Sequence, residues 1–147
     1  MKPLGVNRVV IAVKDFESGK QRYSKLLGAT FHSTNDEEAA ALGLRIAMSW
    51  DAGIELVSPL PDCDSKVKRT IETRGEGLIG VVFNVDDIEK AREAAEELGI
   101  PIWYTVDYSQ EQIDKYQQGR FKKFKEYMLD ARAAHGVGAI IGQIEPK

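Results

Sequence analysis

Apolar and polar positions follow one pattern that occurs twice along the chain. Residues 9–29 and 81–100 each begin with five mostly apolar residues, reach an aspartate and continue with apolar side chains at helical spacing. The two segments align at an offset of 72 residues. The same residue types bound both predicted helices, with N-caps at Asp15 and at Asp86 or Asp87, and ends at Gly28 and Gly99.

Strand-like segments follow each helix. They are residues 29–33, 44–50 and 53–59 in the first half, with a hairpin turn at 51–53, and 101–106, 124–129 and 137–146 in the second. The closing strands align at an offset of 87, because Ile54 falls on Ile141 and Pro59 on Pro146. The larger offset indicates an insertion in the second half, and the polar, helix-prone residues 109–124 have no counterpart in the first.

The repeat predicts an α+β fold of two βαβββ modules. Module one covers about residues 6–59, a linker covers 60–77, and module two covers about 78–146. Alternation within each strand puts one face on the helices and leaves the other on the concave side of the sheet. We therefore expect an open, bowl-shaped mixed sheet with helices on its outer face and room for a small ligand.

Composition and charge argue against several classes of protein. The 147 residues carry a net charge of −3 with both signs interspersed, which does not favour a nucleic acid or an anionic membrane as partner. No apolar run has the length of a membrane helix, and the N-terminus lacks the apolar core of a secretory signal. The single Cys63 excludes an internal disulfide and a cysteine-cluster metal site. These features favour a cytoplasmic location.

Four segments resemble the vicinal oxygen chelate superfamily, which includes glyoxalase I, methylmalonyl-CoA epimerase, extradiol dioxygenases and bleomycin-resistance proteins. They read NRVVIAVKDFESGKQRYSKLLGATF, GIELVSP, GEGLIGVVFNVDDIEKAREAAEELGIPI and YMLDARAAHGVGAIIGQIEP. The VDD helix start and the AHGV before the last strand look most like the epimerase and glyoxalase branch. The resemblance implies the paired-module fold, whereas the superfamily includes several chemistries and pure binding proteins.

The resemblance also implies a metal site, with histidine at the start of the first strand and glutamate in the last strand of each module. Arg8 and Glu55 occupy these positions in module one, and Gly80 and Gly142 occupy them in module two. Arginine stays protonated and has only hydrogen-bond donors, so it cannot ligate a metal. We therefore expect no metal and no cofactor.

A displaced metal site is the alternative. His32 and His135 are the only histidines, and with Glu55 they would make a set of two histidines and one carboxylate. Neither histidine falls at a superfamily ligand position. We favour a half-exposed structural role for His32 and a rim position for His135.

Arg8 and Glu55 are expected to pair on neighbouring strands, because either charge would be costly to bury alone. Arg8 then either neutralises Glu55 or binds a ligand carboxylate, enolate or phenolate oxygen in a bidentate fork. Glu55 is also a possible catalytic base, although the neighbouring positive charge makes it a weak one. The remaining candidate ligand contacts are Gly80, Asn84, Gly142, Trp103 and His135.

Two function classes follow from this interpretation. The first is a glyoxalase- or bleomycin-resistance-like protein that binds a small anionic or aromatic molecule without the divalent metal. The second is an isomerase or lyase of the methylmalonyl-CoA epimerase or glyoxalase type with an atypical active site. The insertion at 109–124 is either a lid over the bowl or a surface helix. The resemblance implies a homodimer.

Overall fold

A computed structural model describes all residues from Met1 to Lys147. The chain divides into two compact units, one of residues 8–79 and one of residues 1–7 with 80–147. The elements in chain order are β1 (Pro3–Ala12), α1 (Phe16–Leu27), β2 (His32–Ser33), α2 (Asp36–Ala41), β3 (Leu44–Ser49), β4 (Ile54–Pro59), α3 (Lys66–Arg74), β5 (Gly77–Val85), α4 (Ile88–Glu97), β6 (Ile102–Asp107), α5 (Gln110–Tyr116), β7 (Phe121–Leu129), a 3-10 turn (Ala131–Ala133) and β8 (Gly138–Pro146). The predicted α+β class and the repeated βαβββ order are confirmed.

The sheet of the 8–79 unit has the strand order β2-β3-β4-β1. Strand β1 runs parallel to β4, whereas β3 runs antiparallel to β2 and to β4. The predicted hairpin turn at 51–53 joins β3 to β4, and Gly53 adopts a left-handed φ of 66° there. The register puts Val10, Glu55, Met48 and His32 in one row across the sheet, so their side chains share a face.

The sheet of the other unit repeats this arrangement in the order β5-β8-β7-β6. Strand β5 runs parallel to β8, and β7 runs antiparallel to β8 and to β6. Helix α4 covers one face, where Ile88 packs with Val85 and Tyr127 and its N–H donates to Gln143 Oε1 at 3.2 Å. Residues of β7 and β8 with the opposite parity therefore lie on the face away from α4.

The helix ends follow the predicted caps. The Asp15 side chain accepts from Ser18 N–H at 2.9 Å, and Asp87 accepts from Lys90 N–H at 3.2 Å. The choice between Asp86 and Asp87 is thus settled, because the Asp86 carboxylate accepts from Lys2 N–H at 2.6 Å instead. These bonds satisfy amides that a helix leaves unpaired at its first turn.

Two short helices lie where no helix was predicted. Helix α2 follows Asn35, and α3 lies inside the predicted linker after Ser65; both capping side chains accept from the amide three residues on. Each helix has fewer than ten residues, so its apolar periodicity is too brief to recognise in a sequence. Conversely, only His32–Ser33 of the predicted strand 29–33 forms a strand that pairs with its neighbour.

The insertion is only partly helical. Helix α5 begins with a capping box between Ser109 and Gln112 and packs against β7. It ends at Tyr116, three residues before Gly119 with its left-handed φ of 64°, and β7 starts at Phe121 rather than at residue 124. A lid role for this segment stays a prediction. None of the helices is both long and apolar enough to cross a lipid bilayer.

Glu89 of α4 ties its helix to strand β7. Its Oε1 lies 2.8 Å from Lys125 Nζ and accepts the Tyr127 hydroxyl at 2.9 Å, while its Oε2 lies 3.1 Å from Arg92 Nε. The hydrogen bonds from Lys125, Arg92 and Tyr127, in this order, lower the pKa of Glu89 from 4.5 to about 2. The same contact with Glu89 raises the pKa of Lys125.

These contacts of Glu89 predict that the folded protein loses stability in acid. A carboxyl whose pKa is lowered by folding stabilises the protein above its unfolded pKa and stops doing so as pH falls through its folded pKa. The Glu89 contribution is therefore present above pH 4.5 and is lost between pH 4.5 and about 2. Because Glu89 is half exposed, we expect a contribution of roughly 1 kcal/mol or less.

Urea unfolding of the wild type and Glu89→Gln at pH 7, 4 and 2.5 measures the effect. The difference between the two proteins should be largest at pH 7 and should shrink toward pH 2.5. Glu93→Gln, at an exposed position of the same helix, is the matched control and should change little. A stability difference between the wild type and Glu89→Gln that does not change with pH would contradict a stabilising role of the ionised Glu89.

Candidate functional site

Arg8 and Glu55 form an ion pair inside the 8–79 unit. The Arg8 Nε donates to Glu55 Oε2 at 2.9 Å, and the two residues are only 2% and 7% exposed. The Arg8 guanidinium carbon also lies 5.3 Å from the centroid of the Trp50 ring, within the range of a cation–π contact. The predicted pairing of the two charges is confirmed.

Strand register explains why the two charges meet. Strands β1 and β4 are parallel, with Val10 opposite Glu55. Arg8 lies two residues before Val10 on β1, so its side chain is on the same face of the sheet as that of Glu55. The Val9 amide donates to the Gly53 carbonyl at 3.0 Å and fixes this register at the start of β4. Trp50 follows the end of β3 at the same edge, which brings its ring beside Arg8.

The predicted glycine positions lie in the other unit. Gly80 and Gly142 belong to β5 and β8, and Gly142 is opposite Asn84. A Cβ at Gly142 would lie 3.2 Å from Ile144 Cδ1 and 3.5 Å from Val82 Cγ1. Neighbouring apolar side chains therefore occupy the space beside Gly142.

The equivalence of Glu55 and Gly142 rests on sequence alignment, and strand pairing differs from it by two residues. Val9 pairs with Ile54 in the first sheet, and the equivalent Val81 pairs with Ala139 in the second. Pairing thus relates Glu55 to Ile140 rather than to Gly142. Since side chains alternate with a period of two, both positions still share one face.

Asn84 completes the ladder between β5 and β8. Its Nδ2 donates to the Ile144 carbonyl at 3.1 Å, and its Oδ1 accepts from the Ile144 amide at 2.9 Å. The side chain thereby pairs with backbone groups just beyond the last register pair, Asn84 and Gly142. Its amide is engaged in a structural role in this state.

The aromatic and histidine candidates are divided between the two units. Trp103 of β6 is 42% exposed, and its ring centroid is 5.8 Å from that of Tyr104. His135 is exposed in the turn before β8 and has a left-handed φ of 60°. His32 shares the row of Glu55 on β2, whereas Trp103 and His135 belong to the other unit.

A family comparison identifies the class of protein. The sequence profile of the glyoxalase/bleomycin resistance protein/dioxygenase superfamily matches residues 7–119. The chain belongs to this superfamily. The match covers the whole 8–79 unit and most of the insertion, while β7 and β8 lie beyond it. A search among curated proteins found no match.

Solved structures with the superfamily fold resemble this chain along nearly its full length. A hypothetical protein from Bacillus halodurans C-125 has a TM-score of 0.67 at 23% identity, covering 97% of this chain and 94% of that one. A Streptomyces coelicolor methylmalonyl-CoA epimerase bound to 2-nitronate-propionyl-CoA has 0.72 at 20%, covering 97% and 98%. The Mycobacterium tuberculosis methylmalonyl-CoA epimerase has 0.69 at 22%, covering 99% and 89%. At these identities the likeness shows the fold.

The residues at the expected ligand positions do not fit the superfamily's divalent metal. In the first unit Arg8 presents only N–H donors, and one of them is committed to Glu55. In the second unit Gly80 and Gly142 have no side-chain donor atoms, and neither has Ile140 at the position that strand pairing selects. No group of three or more His, Cys, Asp or Glu side chains is arranged to hold a metal ion.

Sequence reasoning missed two residues of this superfamily member, Trp50 and Glu126. Trp50 was not among the candidate residues, and its contact with Arg8 depends on the turn after β3. Glu126 of β7 was not singled out, yet it is 2% exposed. The signal was present, because Glu126 alternates with Phe124 and Met128 on one side of the strand.

Proposed function

We propose that the protein binds a small anionic ligand through Arg8, with a preference for planar or aromatic acids and without a divalent metal. The observation that supports this is the buried Arg8 guanidinium, held by Glu55 at 2.9 Å and by the Trp50 ring at 5.3 Å. A guanidinium is a fixed positive charge with a planar set of donors that matches a carboxylate. Arg8 would thus supply the charge that a metal supplies in other superfamily members.

Trp50 and Glu55 prepare the guanidinium for such a ligand. The carboxylate of Glu55 and the indole face restrict the orientation of Arg8, so less conformational entropy is lost when an acid binds. Because Arg8 is almost fully buried, the acid must enter a dry environment and share or exchange the donors that now face Glu55. Low local dielectric strengthens the resulting charged hydrogen bonds.

Binding of benzoate to the wild type and to Arg8→Lys tests the anchor. Lysine keeps the charge but loses the planar fork, and charge-assisted hydrogen bonds of this kind correspond to about a 10- to 100-fold change in affinity. Isothermal titration calorimetry should therefore show weaker binding by Arg8→Lys. Arg132→Lys is the control, since Arg132 pairs with Asp130 at an exposed turn.

Two results would contradict this proposal. Unchanged benzoate affinity in a folded Arg8→Lys protein would exclude the anchor, with circular dichroism used to check folding. Stoichiometric zinc, nickel, cobalt or iron in the purified protein would contradict metal-free binding.

A second candidate is an isomerase or lyase of the epimerase or glyoxalase type. The fold likeness to a methylmalonyl-CoA epimerase solved with methylmalonyl-CoA, at a TM-score of 0.73 and 20% identity, supports it, and the buried Glu55 is a possible base. Deuterium incorporation into methylmalonyl-CoA in D2O would favour this candidate over simple binding. We also propose that the chain acts as a homodimer in the cytoplasm, as the superfamily resemblance implies.

A further inference from the structure

Helix α5 and the turn that follows it, residues 109–120, pack as one segment on the strands of their own unit, and we name this segment the flap. The helix contacts β7, and its residue Ile113 is 1% exposed. The ring of Tyr108, just after β6, contacts two others. Its centroid lies 5.7 Å from that of Tyr116 in the helix and 5.5 Å from that of Phe124 in β7. The flap is therefore attached to the sheet by apolar and aromatic contacts.

The buried side of the flap includes a polar group without a hydrogen-bond partner. The Gln117 amide donates to the Ile113 carbonyl at 2.8 Å, so the two side chains lie one helical turn apart on the same side. Gln117 is 2% exposed, and its side-chain Oε1 accepts no hydrogen bond. A buried amide oxygen that has lost water without gaining a donor destabilises the arrangement that buries it. Opening of the flap would return this oxygen to water.

The turn after the helix contains two consecutive residues in the left-handed conformation. Gln118 has a φ of 57° and Gly119 has a φ of 64°. Glycine adopts this conformation readily, whereas in glutamine the Cβ approaches the backbone too closely for an unstrained fit. Residues at the ends of elements that absorb a change in φ and ψ are the usual hinges of moving segments. The turn is thus the place where rotation of the backbone would relieve strain.

Polar contacts join the edges of the flap to the rest of the unit. The Gln110 Nε2 donates to the Phe121 carbonyl at 3.1 Å, and Asp114 Oδ1 lies 3.5 Å from Lys147 Nζ. Water replaces such partners when the flap opens, and an exposed ion pair contributes little to stability. The closed state therefore depends mainly on the apolar contacts described above, which the buried Gln117 oxygen opposes.

The strand surface beside the flap is aromatic. Phe121 and Phe124 of β7 are 8% and 2% exposed, and their ring centroids are 5.7 Å apart. Phe124 is followed by Lys125, whose Nζ lies 2.8 Å from Glu89 of α4, so the Phe124 ring is on the face of the sheet away from that helix. The flap thus separates an aromatic surface on this face from solvent.

We propose that the flap opens as a unit while the rest of the protein stays folded, with Gln118 and Gly119 as its hinge and the Gln117 oxygen as the group that favours opening. Opening hydrates this oxygen, relaxes the left-handed glutamine and exposes the rings of Tyr108 and Phe124. The flap is then a lid over the aromatic surface of its own sheet. This inference concerns one unit alone and does not rest on the proposed function.

Native-state hydrogen exchange followed by NMR tests the opening in the wild type. The amides of Ile113, Gln117 and Gly119 donate to carbonyls within the flap, so they exchange when the flap opens. Because local openings need less free energy than global unfolding, these amides should be at least about 100-fold less protected than the hydrogen-bonded amides of β7 and β8. Their exchange should also depend only weakly on urea, since opening of a short segment exposes little surface.

Gln117→Met tests the group that favours opening. Methionine is an unbranched, adaptable side chain without a carbonyl. Removing the unpaired oxygen should slow exchange of the flap amides by about 5- to 100-fold, while exchange in α4 and β8 stays unchanged. Gln21→Met is the matched control, because it makes the same chemical change at an exposed position of α1. Exchange of the α1 amides should change by no more than about threefold.

Three results would overturn this inference. Flap amides that are as protected as those of β7 and β8 would show that the flap has no opening of its own. Unchanged flap exchange in a folded Gln117→Met protein would show that the buried oxygen does not favour opening. An equally large slowing of α1 exchange in Gln21→Met would make the effect a general one of methionine in helices. Gln117→Leu replaces Gln117→Met if that variant fails to fold, and the wild-type measurement needs no variant.

Discussion

Replacing Glu55 by alanine is expected to lower the free energy of unfolding by about 3–5 kcal/mol, the range observed when one partner of a buried ion pair is removed. Glu55 is 7% exposed and is bound by Arg8 Nε at 2.9 Å. The substitution leaves the Arg8 guanidinium in the same dry environment without that carboxylate. Urea unfolding followed by circular dichroism at pH 7 measures the loss.

The double variant Arg8→Met with Glu55→Leu is the decisive comparison. A buried ion pair replaced by apolar side chains of similar volume is often neutral or stabilising, so the double variant should recover most of the stability lost in Glu55→Ala. It should not recover benzoate binding, because both charges are gone. A double variant as unstable as Glu55→Ala would contradict the view that the loss of the Glu55 carboxylate beside the buried Arg8 charge is the cause.

Replacing Ile88 by alanine is expected to lower the free energy of unfolding by about 2–5 kcal/mol, the range found when other buried isoleucines are replaced by alanine. Ile88 is fully buried at the start of α4, where it packs with Val85 and Tyr127. The substitution removes apolar contacts and leaves a cavity between the helix and the sheet. The midpoint of urea unfolding should fall while the dependence on urea concentration stays unchanged.

Leu98→Ala provides the comparison for Ile88→Ala. Leu98 follows the same helix but is 73% exposed, so its replacement should change stability by no more than about 0.5 kcal/mol. Equal losses at the two positions would mean that α4 is not anchored through Ile88. The comparison also separates a packing effect from a general effect on the helix.

The long elements could be predicted because each has a local cause. Asp15 and Asp87 cap helices whose apolar residues recur at helical spacing, and Gly28 and Gly99 end them in left-handed conformations. The hairpin at 51–53 follows from a glycine that can adopt positive φ. Helices α2 and α3 escaped prediction because they are too short for a periodic signal and depend on packing and capping.

The candidate site was predictable in part. Arg8 and Glu55 were placed on neighbouring strands because the strand starts are repeated, and their ion pair followed from the cost of burying either charge alone. The counterpart of Glu55 was less certain, since a strand can shift by two residues and keep the same side chains on the same face. Gly142 and Ile140 differ by such a shift, and only hydrogen-bonded pairing distinguishes them.

The sequence was sufficient for the repeat, the α+β class and the helix ends. These features depend on spacing and residue type, which act over a few neighbouring positions. The three-dimensional fold was needed for the Trp50 ring beside Arg8, the crowding at Gly142 and the burial of Glu126 opposite it. Such contacts join residues that are distant in the chain, and their distances are set by strand register and packing rather than by local preference.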